Sequence, residues 1–354
     1  MQKTAVKYKG TGHTGEAVFL TYLRTKQFFK KRLKNVDADA DPFVHISQKE
    51  LENRFFPWPE YSRKASLGVL QGEGLLKIEK RTGGNGLEYF VYCTPQAGKI
   101  DLSLLEKPKR NLSPLHSFMM QTLASVDILP GEYDLKQVEY FNLFLQNKTT
   151  HPDLFFIVDS FAGRVHTPIT NLHSPYRKNL LLEGKPVVSF DVKQMQPLIL
   201  GKILSQYVPN NDYSEWISQD HDIYEKIADK AGLMTRTEGK KRFFEILFAP
   251  PSDELVRMFG DANWINWINR VKRANNPKNP NFKAKPHSNM AWLLQSTEVE
   301  IMEKIWKEFF SRGIRFISVH DEIILKEQDR HKGEAIIRQI MDNEFNKYQL
   351  NVNK

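Results

Sequence analysis

Two aspartates, each near the end of a predicted β-strand, are well suited to hold a metal ion in this chain of 354 residues. The predicted strand 187–192 carries Asp191, and the predicted hairpin 315–325 has the polar tip His320-Asp321-Glu322. Strand ends that are distant in sequence can meet in a sheet, and paired carboxylates suit hard divalent cations, which prefer oxygen ligands. Two such ions about 4 Å apart promote phosphoryl transfer by activating the attacking oxygen and stabilising the leaving one. The alternatives are a helix-capping role for Asp191 and a solvated turn for the tripeptide.

A second group of residues, between the two aspartates, could bind a nucleotide. Arg236, Lys240, Phe244 and Phe248 are spaced four residues apart, which on a helix gives one slowly drifting stripe. Two cations followed by two aromatic rings would place positive charge on a triphosphate and flat surfaces against a base. The alternative is an amphipathic helix with exposed cations and a buried phenylalanine pair.

In this order the three pieces resemble motifs A, B and C of the family A polymerases, the group that contains bacterial DNA polymerase I and the single-subunit phage-type RNA polymerases. Phe190-Asp-Val-Lys-Gln-Met-Gln-Pro197 is similar to motif A, and Val319-His-Asp-Glu-Ile323 to motif C. The stripe from Arg236 to Phe248 is similar to motif B, which lies on the O helix of the polymerase fingers. The resemblance covers about residues 160–330.

The resemblance implies a role for each motif residue. Asp191 and Asp321, with the backbone carbonyl of Val192, would bind two Mg²⁺ ions, with Mn²⁺ as the alternative metal. Glu322 would stand beside them as a catalytic residue. Nucleotide binding would involve Arg236 and Lys240 at the triphosphate, Phe244 near the sugar, Phe248 at the templating position, and also Gln196 and His320.

Three shorter segments keep the family's order. Arg164-Val-His-Thr167 resembles the segment before motif A, and Asp222-Ile-Tyr224 resembles the Asp-Ile-His start of the fingers. Gln295-Ser-Thr297 resembles the Gln-Gly-Thr helix that contacts the primer–template. By this resemblance, the residues predicted to contact nucleic acid are Arg164, His166, Thr167 and Gln295.

The departures from the family's motifs concern substrate choice. Gln196 stands where the DNA polymerases carry a glutamate that blocks a 2′-hydroxyl, so we expect weaker exclusion of ribonucleotides. Leu198 stands where motif A usually ends in arginine, and Phe248-Ala249 replaces the usual Tyr-Gly, which removes a flexible glycine. The glutamate in His-Asp-Glu, instead of the serine of His-Asp-Ser, favours the DNA-synthesising branch.

The first 105 residues predict a separate nucleic-acid-binding domain. Helix-like stretches precede two β-rich runs, 75–81 and 87–92, that a Gly- and Asn-rich connection would join into a hairpin. Three helices and a basic hairpin resemble a winged-helix domain. Residues 1–110 hold 20 Lys and Arg against 12 Asp and Glu, which favours a polyanionic partner. A protein-docking role is the alternative. The predicted DNA contacts are Arg63, Lys64, Lys77, Lys80 and Arg81.

The composition excludes several classes of protein. A single cysteine, Cys93, leaves no disulfide framework or multi-cysteine zinc site and fits a reducing cytoplasm. There is no run of about 18 apolar residues to predict a membrane helix, and the N-terminal residues do not resemble a signal peptide. We therefore expect a cytoplasmic protein without a membrane partner.

Together these patterns predict an α+β polymerase with a palm built on an antiparallel sheet, helical fingers and a reduced thumb. The predicted divisions are a winged-helix-like domain at 1–105, a linker or reduced thumb at 106–160, and palm and fingers at 161–354, with the fingers at about 220–285.

The predicted activity is template-directed, Mg²⁺-dependent transfer of nucleotides from dNTPs to the 3′-hydroxyl of a DNA primer, without a proofreading exonuclease. Replication of a plasmid, phage or mobile element is the expected context, with other replication proteins as further partners. One alternative is a primase or single-subunit RNA polymerase that uses rNTPs. The other is a non-catalytic DNA-binding replication initiator or regulator.

Overall fold

The structure is a computed structural model, and it separates the chain into two compact units. The larger unit comprises Met1–Gln2, Asn111–Lys148 and Phe155–Lys354, and the smaller comprises Lys3–Arg110 and Thr149–Leu154. The residues that the structure describes are Leu23, Gln71 and the ranges 44–47, 76–83, 86–93, 111–131, 133, 135–150 and 152–353.

The described ranges contain both strands and helices, so the fold class is α+β. The strands are β1 (Val44–Ser47), β2 (Leu76–Gly83), β3 (Gly86–Cys93), β4 (Val126–Ile128), β5 (Ile157–Val158), β6 (Val165–His166), β7 (Leu180–Leu182), β8 (Lys185–Val192), β9 (Phe316–Val319), β10 (Glu322–Lys326) and β11 (Leu350–Asn353). Between residues 111 and 353 the described helices are α1 (Pro114–Leu123), α2 (Leu135–Asn147), α3 (Ser174–Arg177), α4 (Met195–Tyr207), α5 (Asp212–Ser218), α6 (Ile223–Lys230), α7 (Arg236–Phe248), α8 (Asp253–Met258), α9 (Asn263–Arg273), α10 (Asn289–Ser311) and α11 (Arg330–Glu344). Short 3₁₀ turns lie at Pro152–Leu154, Ile169–Asn171, Pro286–Ser288 and Glu327–Asp329.

A six-stranded antiparallel sheet forms the centre of the larger unit. Its strand order is β4-β7-β8-β10-β9, and β11 also pairs with β8. Asp191 on β8 lies opposite Glu322 of β10 on one edge and opposite Asn351 of β11 on the other. The strand and the hairpin that the sequence predicts around the two aspartates are therefore confirmed.

The sequence of β8 explains its central place. Val187, Val188, Phe190 and Val192 are all buried, and β-branched and aromatic side chains pack well on a pleated surface. Helix α10 packs against α1, α4 and α11, burying a stripe of apolar side chains at helical spacing. None of the helices in the described ranges combines the length and apolar character needed to span a bilayer.

The turn from β8 into α4 is held in an unusual backbone conformation. Gln194 has φ 59°, in the left-handed region that non-glycine residues seldom adopt, and it directly precedes the first residue of α4. Its side-chain Oε1 accepts the backbone N–H of Ile223, the first residue of α6, at 3.0 Å. Pro197 lies in the first turn of α4, where the missing N–H removes no intrahelical bond.

Helices α6 and α7 pack unusually closely. Helix α7 starts with a capping box, in which the Thr235 hydroxyl and the Glu238 side chain bond each other's backbone N–H. At Gly239 a Cβ atom would overlap the backbone carbonyl of Tyr224 and approach Ala228 within 2.9 Å. The absence of a side chain at Gly239 is what allows the two helices to approach so closely.

One part of the predicted connector belongs to the central sheet. The sequence predicts a helix from Leu115 to Val126, but α1 ends at Leu123. Val126 begins β4, where it is fully buried and pairs with Leu182. Burial of a β-branched side chain in the sheet outweighs the continuing helical periodicity. The sequence also predicts a helix at 135–145, and α2 confirms it.

The described part of the smaller unit contains a three-stranded antiparallel sheet of order β1-β3-β2. The predicted hairpin is confirmed, with β2 and β3 in register from Leu76 opposite Cys93 to Gly83 opposite Gly86. The sequence did not predict β1. The three helices predicted before the hairpin lie almost entirely outside the described residues.

Candidate active site

The predicted catalytic carboxylates lie together at one end of the central sheet. Asp321 is the second residue of the two-residue loop between β9 and β10, and Glu322 is the first residue of β10, opposite Asp191. An oxygen of Asp191 accepts a long hydrogen bond of 3.4 Å from the Asn351 side chain. Val192 ends β8 with its side chain buried.

Burial and neighbouring negative charge act on these carboxylates. Burial, together with the charges of Glu298 and Asp191, raises the pKa of Asp321 to about 7. Burial also raises the pKa of Glu322, although its ion pair with Arg177, at 2.9 Å, opposes this effect. The site therefore holds more negative charge than its surroundings stabilise.

His320 forms the tip of the hairpin and is strained. Its φ is 58°, which suits the first position of a two-residue hairpin loop but is costly for a residue with a side chain. Its ring meets the ring of His166 edge to face, with 5.9 Å between centroids. Burial and the nearby charges of Arg164 and His166 lower the pKa of His320 to about 4, so the ring is neutral at pH 7.

His166 is oriented by an aspartate that the sequence did not single out. The His166 ring lies 2.9 Å from Asp159 through Nε2 and Oδ2. Burial alone would raise the pKa of Asp159, but the His166 hydrogen bond and the N–H groups of Ala162 and Gly163 hold it at about 2. An ionised Asp159 thus fixes the ring that contacts the hairpin tip.

A buried glutamate is the main site residue that the sequence reasoning missed. Glu298 on α10 is 2% exposed, and both its oxygens accept from Nη2 of Arg164 at 2.7 Å. Nε2 of Gln196 also donates to Glu298, at 3.4 Å. Burial raises the pKa of Glu298 against the opposing charge of Arg164. The only signal was its place directly after Thr297 in the Gln-Ser-Thr segment.

The stripe on α7 lies on the outer face of the helix. Arg236 and Lys240 are exposed, and the rings of Phe244 and Phe248 are half-buried and stacked, with 5.5 Å between centroids. The buried face of α7 consists of other residues, namely Gly239, Phe243, Ile246 and Leu247. The alternative of an amphipathic helix is thus confirmed for its exposed cations, whereas Phe244 and Phe248 are only half-buried and other residues form the fully buried face.

Two residues at the start of α6 contact the cations of the stripe. Nε of Arg236 donates to Asp222 at 2.9 Å, and its guanidinium carbon lies 4.9 Å from the ring centroid of Tyr224. Burial raises the pKa of Tyr224 to about 12. The charge of Arg236 opposes this rise, whereas the carboxylates of Asp222 and Asp321 add to it. Tyr224 is thus within electrostatic range of both the cations and Asp321.

The remaining predicted contacts are less accessible or lie elsewhere. Thr167 is 4% exposed, and its hydroxyl accepts the N–H of Ile169 within a turn. Gln295, on α10, is half-buried. Arg164, in the loop before β6, is half-buried as well. Lys77, Lys80 and Arg81 lie in β2 of the smaller unit, whereas Arg63 and Lys64 lie outside the described residues.

The donor set fits a hard divalent cation better than a soft one. Within the described ranges, no group of three or more His, Cys, Asp or Glu side chains is arranged to hold a metal ion. Asp191 and Asp321 offer carboxylate oxygens only. Burial first, and then the charges of Glu298 and Asp191, raise the pKa of Asp321, and a bound cation would offset both effects.

No protein-family model matches the chain, and no curated protein matches it. The case for any activity therefore rests on the residues and their arrangement.

Proposed function

We propose that the protein is a template-directed, Mg²⁺-dependent DNA polymerase of the family A type. One observation carries the proposal: Gln194, three residues after Asp191, accepts the N–H of Ile223, whose neighbours Asp222 and Tyr224 contact Arg236 and Lys240. Carboxylates suited to metal ions and cations suited to a triphosphate thus converge from distant parts of the sequence.

In this proposal, Asp191, Asp321 and the Val192 carbonyl would hold the divalent cations. The bound cations would activate the primer 3′-oxygen and neutralise charge on the leaving pyrophosphate. Glu322, held by Arg177, stabilises the base of the hairpin that carries Asp321.

The protein's own cations and rings would orient the incoming nucleotide. Arg236 and Lys240 bind the triphosphate and stabilise the charge that develops during transfer. Phe244 and Phe248, stacked and half-exposed, offer flat surfaces to the sugar and the templating base. His320, neutral at pH 7, adds no charge repulsion against the cations of the site.

Nucleic acid would contact the side of the larger unit that includes α10. Residues 262–297 hold six Lys and Arg and no Asp or Glu, and all of these cations except the buried Lys272 are exposed, which favours binding to a phosphate backbone. Gln295 lies on this segment, and Arg164 and His166 lie near the hairpin tip. The buried Thr167 would contribute by holding the turn after His166.

The smaller unit would tether the polymerase to DNA as a winged-helix-like domain. The sheet order β1-β3-β2 supports this, because β1 precedes the third predicted helix, the one expected in the major groove, and pairs with β3 of the hairpin. Lys77, Lys80 and Arg81 on β2, with Arg63 and Lys64, would bind phosphates and base edges. A tether of this kind would raise the effective concentration of template.

RNA synthesis is the second candidate, and a property of Gln196 favours it. The Gln196 Oε1 atom is buried and has no hydrogen-bond partner among the described residues. This acceptor, near the predicted sugar position, could accept a hydrogen bond from the ribose 2′-hydroxyl that the glutamate of the DNA polymerases blocks.

Extension of a labelled primer on a DNA template tests the proposal. We expect Mg²⁺-dependent extension with dNTPs by the wild type, and a loss of at least about a thousandfold in Asp321→Asn. Asp253→Asn is the matched control, because Asp253 is an exposed aspartate whose loss removes the same charge elsewhere.

The outcomes separate the alternatives. Extension mainly with rNTPs, or without a primer, would favour the RNA-synthesising candidate. DNA binding without extension under any nucleotide condition would contradict catalysis and favour an initiator or regulator. Equal loss in Asp321→Asn and Asp253→Asn would argue against the proposed metal site.

A further inference from the structure

The start of α6 contacts both predicted triphosphate cations at once. Arg236 bonds Asp222, and the Tyr224 ring lies 4.9 Å from the Arg236 guanidinium carbon and 5.7 Å from Nζ of Lys240. Two like charges spaced one helical turn apart repel each other and are mobile on an exposed face. A single ring and a single carboxylate hold this pair in place.

Asp222 uses its two oxygens for two separate tasks. Oδ1 accepts the N–H groups of Tyr224 at 3.0 Å and Glu225 at 3.3 Å, which caps α6. Oδ2 accepts from Nε of Arg236 at 2.9 Å. Among the described residues, neither terminal nitrogen of Arg236 has a hydrogen-bond partner. Those two nitrogens form the planar pair of donors that binds phosphate oxygens in a bidentate manner.

Tyr224 is a fixed platform. Its side chain is buried, 6% exposed, and its ring packs edge to face against Phe243 with 5.6 Å between centroids. The Arg236 side chain, by contrast, is 43% exposed. A rigid ring beneath exposed cations attracts them through its negative face without occupying their hydrogen-bond donors.

We propose that Asp222 and Tyr224 are positioning residues, which hold Arg236 and Lys240 in the arrangement that binds a nucleoside triphosphate. The inference rests on the proposed function and deepens it by adding a second layer behind the triphosphate contacts. Ordering the two long side chains before the nucleotide arrives removes that entropic cost from binding.

The variant Asp222→Asn separates the two tasks of Asp222. The amide oxygen still caps α6, whereas the amide nitrogen is a donor and cannot accept from Arg236. We expect the Kd for Mg²⁺–dATP, measured by equilibrium titration, to rise about tenfold. In primer extension KM should rise with a smaller change in kcat, and the melting temperature should stay the same.

Asp229→Asn is the matched control. Asp229 is exposed on the same helix, so its replacement removes the same charge without touching Arg236. Its Kd should equal that of the wild type.

The ring is tested by two variants at Tyr224. Tyr224→Leu removes the aromatic face and should raise the Kd about fivefold. Tyr224→Phe keeps the ring and should restore most of that affinity.

A double-mutant cycle shows whether Asp222 acts through Arg236. In an Arg236→Ala background, Asp222→Asn should cause no further rise in Kd. Additive effects, or a Kd that is unchanged or lower in Asp222→Asn, would overturn the positioning role. If the wild type still bound dATP and extended a primer, the proposed function would stand despite that result. A wild type that neither binds dATP nor extends a primer would refute both.

Discussion

The carboxylate end of the central sheet and the cationic face of α7 carry opposite charges, and the protein holds these charges in opposite ways. Asp321, Glu298 and Glu322 are removed from water to differing degrees, and burial raises the pKa of each. Arg236 and Lys240 remain exposed on a capped helix. Charges repel one another in both regions, but water screens this repulsion far better at the exposed cations than at the carboxylates.

The difference indicates what each region requires. Buried carboxylates that repel one another are stabilised by a proton or a cation, so this end of the site is expected to demand one of them. Exposed cations cost little to maintain and attract any polyanion, so their selectivity must come from how they are positioned. Three measurements test this difference between the two regions.

The largest effect should be a dependence of stability on pH that originates at Asp321. A carboxyl group whose pKa rises from 3.8 to about 7 on folding holds its proton more tightly in the folded protein. Its contribution to stability is therefore complete below pH 3.8 and declines as the pH rises to about 7, by about 4 kcal/mol at most.

Chemical unfolding of wild type and Asp321→Asn at several pH values, without divalent cations, measures this decline. The variant should be the more stable protein at pH 8 and should match the wild type near pH 4. Addition of Mg²⁺ should stabilise the wild type at pH 8 and leave the variant unaffected. If the stability of the two proteins changed with pH in the same way, Asp321 would not be the source of the pH dependence.

The next effect should come from Gly239→Ala, which disturbs the cationic region without changing a charge. The new Cβ would overlap the Tyr224 carbonyl, so α6 and α7 must separate. We expect a loss of about 1–3 kcal/mol in the free energy of unfolding, together with weaker dNTP binding.

Thermal and denaturant unfolding test this, with Lys241→Ala as the control because Lys241 is exposed on the same helix. A stable Gly239→Ala protein with normal dNTP affinity would show that close packing of the two helices is not needed to hold the cations.

The smallest effect should be a difference in salt sensitivity. Exposed charges are screened by salt, whereas buried ones are screened much less. Raising the ionic strength from about 0.05 to 0.3 M should weaken dNTP binding several-fold and leave the apparent pKa of Asp321 almost unchanged. Titrations of nucleotide and of protons at both salt concentrations provide the measurement, and equal sensitivity would contradict the contrast in burial.

Local patterns in the sequence predicted the elements that carry the site. The run around Asp191 is rich in β-branched residues, the hairpin is two apolar runs about a polar tip, and α7 spans the stripe from Arg236 to Phe248 as expected. In each case the signal lies within about a dozen neighbouring residues.

Contacts between distant residues could not be predicted in this way. Glu298 is a glutamate within a long helix, and its partner Arg164 is 134 positions away. Val126 continues a helical pattern, yet it enters a strand because Leu182 offers it a buried pairing. The buried face of α7 is the one that α6 approaches at Gly239. The periodicity of α7 alone does not predict which neighbouring helix will pack against it.

The hydrogen bond from the Ile223 N–H to the Gln194 side chain joins the two regions at one point. Gln194 follows Asp191 by three residues, and Ile223 lies between Asp222 and Tyr224. A rotation of α6 and α7 about this point would preserve the bond, whereas a translation of the pair away from β8 would break it. The bond therefore fixes the start of α6, which contacts Arg236, relative to the turn that follows Asp191.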